Sequence, residues 1–466
     1  MRAGVCKNVL AAVVAVVFLA APPALADADW PGLRGPEFDG SVPGATFLAS
    51  DAATPGLAVG WKADLGAGYS SVVVGDGRVI TLFASGDADW AVAHDAETGE
   101  EIWKYRIADT YAGHDGSHDG PISTPLLDGG RVYALGAWGH LFALDAATGK
   151  PVWQVHVADD LGGQKPHYGF TTSPVIADGT LIVEIGGGEG KAIAGLDPDT
   201  GEMKWSLGDD EIHYHSPVVA TLGGKRQVVA AGSKTLYGID AASGAVLWSH
   251  AHEGDDRAMG GATIVPVPAG DDRVLIMNKI DASTMLRVAK DGDAWSVEEL
   301  WANNAIKQSY VVPVYHDGHL YGMNNRILVC VDAATGDLAW RSREPGDGFP
   351  TVVGDLLVIA TKPGTLHVAD ASPDGYNERA RIELFDEHTW STVAYADGAL
   401  FARSMAKLAR IDATSGATDG SGGGTPAWIA SSEFGTVLAG LEDAPDKSAA
   451  IDAYLAKQAS FPIVED

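Results

Sequence analysis

Asp95-Ala96-Glu97-Thr98-Gly99, followed in the next strand by Trp103, is the stretch whose reading decides the fold. It returns as Asp145…Thr148-Gly149 with Trp153, and as Asp197…Thr200-Gly201 with Trp205. Two further copies are Asp240…Ser243-Gly244 with Trp248 and Asp332…Thr335-Gly336 with Trp340. In all five copies the tryptophan follows the aspartate by eight residues, so the chain is internally repeated. The residue types fit a turn. Asp and Thr/Ser side chains bond to turn amides, and Gly accepts the left-handed backbone that closes it. The tryptophan then stands in the following strand as a large apolar plate.

A second punctuation precedes these turns. Asp76-Gly77, Asp128-Gly129, Asp178-Gly179, Asp317-Gly318 and Asp397-Gly398 each lie between short β-branched runs, as hairpin signals do. Gly223-Gly224 and Gly354-Asp355 occupy the same place in two other repeats, and Thr124-Pro125, Ser173-Pro174, Ser216-Pro217, Pro266, Pro313 and Pro350 open several of them. Each unit reads as four strands in ~40–50 residues, the blade of a propeller. The class is all-β. We expect an eight-bladed β-propeller, with blades starting near Tyr69, Ser117, Gly169, Tyr214, Gly261, Ser309, Pro350 and Ser391.

Blade five, ending around Trp295 and Trp301, and blade seven, ending in an irregular Asp370 to Phe385 segment, have degenerate turns. In blade eight, Gly420 stands where the tryptophan belongs. The segment from Leu57 to Leu65, which carries Trp61, is expected to supply the missing outer strand and close the ring, removing the exposed edges. A seven-bladed ring with leftover strands is the alternative.

The remaining segments divide at composition changes. Residues 1–26 read as a signal peptide: Arg2 and Lys7, an apolar run from Val9 to Ala21, then Ala24-Leu25-Ala26. The run falls short of the ~20 residues a membrane span needs, so no span is expected after cleavage. Residues 27–56 form a lead segment and 57–419 the propeller. Residues 420–426 are a Gly-rich linker and 427–466 a helical tail. Cys330 is the one cysteine beyond the signal, which forbids an internal disulfide and reads as a buried side chain. With 32 basic and 62 acidic residues the formal charge is −30, a surface that repels nucleic acid and anionic lipid.

The Asp-x-x-Thr-Gly-x-x-x-Trp copies resemble the repeat of quinoprotein dehydrogenases, which is also found in the outer-membrane assembly lipoprotein of the Bam complex. The opening Trp30-Pro31-Gly32-Leu33-Arg34-Gly35-Pro36 with Asp39-Gly40 looks like the start of exported pyrroloquinoline-quinone-like (PQQ-like) repeat proteins. Gly120-Pro121-Ile122-Ser123-Thr124-Pro125, Arg131-Val132-Tyr133-Ala134-Leu135-Gly136 and Arg226-Gln227-Val228 are similar to the same group. The resemblance covers roughly Trp30 to Gly416 and implies the propeller, with PQQ as a cofactor to be considered. It departs from the dehydrogenases at the adjacent cysteines, the calcium ligands and the haem-attachment motif, none of which can be placed here.

Both hairpin types lie on one face of a propeller; the loops entering each innermost strand lie on the other, around the central channel. Those loops are rich in His and Tyr: Tyr111 to Asp119, His167-Tyr168, His213-Tyr214-His215, Arg257, Gln308, Tyr310, His388 and Trp390. Three readings stay open. Arg257, His215, Tyr310 and Trp390 can grip and stack a quinone or other small ligand. His118, His167 and His213 can hold a divalent metal. Or these side chains are loop polars bonded to water and backbone. The leading expectation is a non-catalytic, exported, monomeric propeller that binds a protein or small molecule at the channel mouth. A PQQ-dependent or other small-molecule oxidoreductase is the alternative.

Overall fold

The structure is a computed structural model that describes residues 29–48, 55–212, 214–252, 265–279, 282–307 and 310–415. The expected signal peptide, Gly-rich linker and helical tail therefore lie outside the described residues. Eight sheets follow one another, each built on four antiparallel strands, and that of blade seven carries a fifth. Blade one runs through Val73–Gly75, Arg78–Ser85, Ala88–Asp95 and Glu101–Asp109, and sets the pattern for the others. Blade eight is assembled from both ends of the described chain. Ala394–Ala396, Ala399–Arg403 and Lys407–Ser415 are joined by Pro55–Asp64, which pairs antiparallel with Lys407–Ser415 and sets Trp61 opposite Arg410. The ring is thus closed by the N-terminal strand, as the missing tryptophan of blade eight requires.

The repeat chemistry is visible atom by atom. Asp95 Oδ1 accepts from the amides of Glu97 and Thr98 and from the Thr98 hydroxyl, and Asp145 and Asp240 do the same with Thr148 and Ser243. What the repeat does between blades is a separate matter. Each plate lies on the turn glycine of the next blade: Trp61 on Gly99, Trp103 on Gly149, Trp153 on Gly201, Trp205 on Gly244. Its indole N–H donates to that blade's turn, Trp61 to Ala96 O at 3.0 Å and Trp103 to Ala146 O at 2.8 Å. Trp153 reaches Pro198 O, Trp205 reaches Ala241 O and Trp340 reaches Ser372 O. Trp248 departs from the series and bonds within its own blade, to Gln227 Oε1 at 2.6 Å.

A methyl group on Gly149 would meet Trp103 Cδ2 at 2.6 Å, on a backbone with φ +67°. Gly149→Ala is therefore expected to lose about 1–3 kcal/mol from strained backbone and overpacking together. Urea denaturation checks it, and an unchanged midpoint would remove the plate-on-glycine account.

The two degenerate blades are regular where it matters. Blade five's outer strand is Ala294–Asn303, entered by a tight turn from Asp291, with a register shift between Met285 and Leu286. That shift brings Trp301 onto Gly336, with its N–H on Ala333 O at 3.1 Å. Blade seven's outer strand is Glu378–Glu383. Cys330 is fully buried and its thiol is pushed up to about 12 by that burial, so it is a core side chain.

The lead segment crosses the channel at the end where the hairpins lie. Trp30 exchanges backbone hydrogen bonds with Val74 of blade one, and Pro31 O accepts from Leu127 of blade two. Ser41–Val42 adds a parallel strand to Gly348–Val353 of blade seven. Between them Arg34 is fully buried and donates to Pro313 O, Val312 O and Asp39 O. Gly35, at φ +83°, lets the buried Trp30 ring approach its backbone. The Trp-Pro-Gly-Leu-Arg-Gly opening is therefore a plug.

Candidate functional site

Above the plug the channel narrows to a cavity of about 130 Å³, with Leu33 and Arg34 on its floor. Its wall is a ring of hydroxyls that links the blades. Ser71 N–H donates to Thr124 Oγ1, Thr124 N–H to Ser173 Oγ and Ser173 N–H to Ser216 Oγ, at 2.9–3.0 Å. Ser71 Oγ and Thr392 Oγ1 lie 3.2 Å apart. Thr124, Ser173 and Ser216 stand beside the prolines that open the repeats, so their signal was present in the sequence, but as punctuation and without a role. Buried amides at the channel edge need partners, and a hydroxyl from the neighbouring blade supplies each one.

At the mouth the structure brings Tyr310 and Trp390 together, with ring centroids 6.2 Å apart, and adds Tyr69 and Phe349 around Trp390. Lys362 Nζ lies 4.6 Å over the Trp390 ring, a cation–π contact. Tyr310 is 65% exposed. His215 is fully buried and does not line the cavity. Arg257 and His213 lie outside the described residues. Among the described residues this lining does not fit a polycarboxylated quinone with its calcium ion. About 130 Å³ is below the ~300 Å³ at which small-ligand pockets begin. Among the described residues the lining offers calcium no carboxylate. Its cation, Arg34, is engaged by three carbonyls, and burial lowers it to about 10.

The second part of the mouth is the loop from Tyr111 to Gly120, between blades one and two. It closes on itself. Gly120 N–H donates to Tyr111 O, Gly113 N–H to Asp119 Oδ1, and Ser117 bonds both backbone groups of His114. Asp115 takes a left-handed backbone, φ +55°, at the tip. The loop's fold turns His118 toward Tyr69, whose hydroxyl accepts its amide at 2.8 Å. It carries His114 instead to His167, with ring centroids 4.5 Å apart. His167 Nε2 lies 2.7 Å from Asp115 Oδ2, and the His114 ring stacks on Tyr168 at 4.9 Å. The hydrogen bond from His167 holds the Asp115 carboxyl below its ordinary range. Beside this cluster a cavity of about 530 Å³ opens between the loops that enter blades three and four, lined by Lys165, His167, Tyr168, Glu211 and Tyr214 among others.

Among the described residues no helix is long and apolar enough to cross a membrane. No curated protein matches the sequence. Many solved structures resemble the fold, two of them as follows. BamB from Moraxella catarrhalis is 16% identical, covering 76% of this chain and 97% of its own, at a TM-score of 0.55. Quinohemoprotein alcohol dehydrogenase from Comamonas testosteroni is 14% identical, covering 82% of this chain and 80% of its own, at 0.59. At such identities the likeness concerns the fold alone. The family model described as outer membrane protein assembly factor BamB matches residues 53–162, 87–342 and 324–431. With the repeat, the closed ring and that match in agreement, the chain belongs to the PQQ-like propeller family described as outer membrane protein assembly factor BamB.

Proposed function

We propose that the chain is a non-catalytic, exported, monomeric propeller that recognises a protein partner in the cell envelope through the loop-face mouth. The observation that carries this reading is the lining of the channel cavity. Above the Arg34 floor it consists of hydroxyls, aromatics and aliphatic side chains, with no carboxylate or imidazole among the described residues to move a proton. A plugged, shallow channel leaves the rim as the working surface. That rim presents Tyr310 and Trp138, 65% and 40% exposed, on rigid blades. Exposed Tyr and Trp on a rigid scaffold are the anchors that dominate protein interfaces. The family's description as an assembly factor points the same way. A small ligand at the same mouth is the second reading, favoured by the cavity of about 530 Å³ beside His167.

The test is a photo-cross-linking side chain placed in cells at Tyr310 or Trp138, and at Glu97 on the hairpin face as control. Adducts to one envelope protein are expected from the first two positions and not from the third. Trp390→Ala should then weaken capture by about 2 kcal/mol, the size of an interface hot spot. Absence of any adduct, together with tight one-to-one calorimetric binding of PQQ in calcium, would replace this function with the dehydrogenase one.

A further inference from the structure

The geometry points to a divalent transition-metal site on the loop face, formed by His114, Asp115 and His167, which we propose takes zinc or a metal of similar ligand preference. One ligand atom from each of the three residues lies within 4.8 Å of the others. A tetrahedral ion with bonds near ~2.0–2.2 Å holds its ligand atoms about 3.4 Å apart, so side-chain rotation has to draw the widest of these separations in. The backbone is already set. His114 is pinned by Ser117, and Gly113 by Asp119. On the facing loop, the His167 carbonyl accepts from Tyr111 Oη at 3.0 Å.

Two imidazoles and a carboxylate are the donor set of zinc, copper, nickel and iron(II), while calcium and magnesium prefer all-oxygen shells. Outer contacts of the usual kind are also in place. A metal-bound histidine commonly gives its other ring nitrogen to a carbonyl, and His114 Nε2 lies 3.0 Å from His167 O. Tyr168 stacks flat on the His114 ring and Tyr111 meets it edge-on, which limits its orientation. Three protein ligands leave a coordination position open, and His167 also lines the cavity of about 530 Å³. A water, or a side chain of a bound partner, can take that position.

The site needs neither a quinone nor a protein partner, so it fails or stands separately from the function proposed above. Untagged protein stripped with a chelator is titrated calorimetrically with zinc and then with calcium. Cobalt(II) is added in parallel for its visible absorption. One equivalent of zinc, not displaced by excess calcium, is expected, with a cobalt spectrum of nitrogen and oxygen donors. His114→Ala and His167→Ala should each weaken zinc binding at least about tenfold, since even outer-shell losses reach that size. His118→Ala should bind as the parent does, and circular dichroism should be unchanged throughout. Equal zinc affinity in the parent and in both histidine variants, or zinc binding no tighter than calcium, would overturn the site.

Discussion

Replacing Arg403 with leucine is expected to cost about 3–5 kcal/mol of stability, the largest loss from any single side chain outside the apolar core. Arg403 ends the second strand of blade eight and is fully buried. Its guanidinium reaches across the seam into blade one. It donates to Leu82 O at 2.6 Å, Gly66 O at 3.0 Å, Thr81 Oγ1 at 3.2 Å and Ser70 O at 3.3 Å. No carboxylate is among these partners, and burial lowers the group to about 9. Leucine removes the desolvated charge, which is a gain, but leaves the buried carbonyl of Leu82 without its donor, at about 1–3 kcal/mol, and the part-buried carbonyl of Gly66 at less. It also empties part of a packed volume. Arg403→Lys should fall between, because one ammonium cannot span four acceptors set around a planar fork. Urea denaturation followed by far-ultraviolet circular dichroism measures both variants. A loss under 1 kcal/mol for Arg403→Leu would mean that the seam is held elsewhere.

The candidate for elsewhere is the outer half of the same seam. Trp61 lies on Gly99 and donates to Ala96 O, while Arg410 donates to that same carbonyl and to Glu97. Ring closure is therefore secured twice, by an aromatic plate at the rim and a buried cation near the channel. The two differ in how readily they are seen in the sequence. Trp61 was legible because blade eight lacked a tryptophan at a fixed spacing and a spare copy stood upstream. Arg403 belongs to no repeat, and its partners sit more than 300 residues away in the chain, so no local pattern points to it.

The same distinction runs through the molecule. Turn chemistry is local, so the Asp-Thr-Gly copies and the Asp-Gly hairpins announced the blades directly. Contacts between blades depend on lateral register. That is why the glycine beneath each plate and the hydroxyl ring of Ser71, Thr124, Ser173, Ser216 and Thr392 were not assigned. Trp301 was placed at the end of blade five but not on its glycine, because it stands ten residues after the turn aspartate Asp291, not eight, and so falls outside the repeat spacing although it reaches Gly336 as the other plates do. At the mouth, composition identified the loops rich in His and Tyr but not which residues meet. Asp115 at positive φ and the bonds of Ser117 decide that His114 faces His167 while His118 faces Tyr69. Tyr310 and Trp390, named together from topology alone, do lie side by side.

Asp89 carries the second large effect, and it is a pH dependence. Its side chain is completely buried in blade one, at the foot of the loop that holds His114. Oδ2 accepts the Tyr111 amide at 3.2 Å, and Oδ1 has no partner among the described residues. Burial pushes the carboxyl up to about 7, with Asp119 adding repulsion and the Tyr111 amide opposing. The unfolded chain releases this proton near the ordinary aspartate value of ~3.9, whereas the folded chain keeps it until about 7. Across that window the native state binds more protons than the unfolded one, so stability falls as pH rises, and the full cost is present above pH 7. Holding the proton until about 7 and not ~3.9 corresponds to about 4 kcal/mol. Asp89→Asn keeps the shape and cannot ionise. It should exceed the parent by only about 1 kcal/mol near pH 4.5 and by up to about 4 kcal/mol at pH 8. Glu184, Asp39 and Asp128 are also raised by burial, but they titrate alike in both proteins, so the difference between the two stability curves isolates Asp89. Curves that stay parallel from pH 4.5 to pH 8 would show that the buried carboxyl gains a partner on ionising, with the Tyr111 loop moving to provide it.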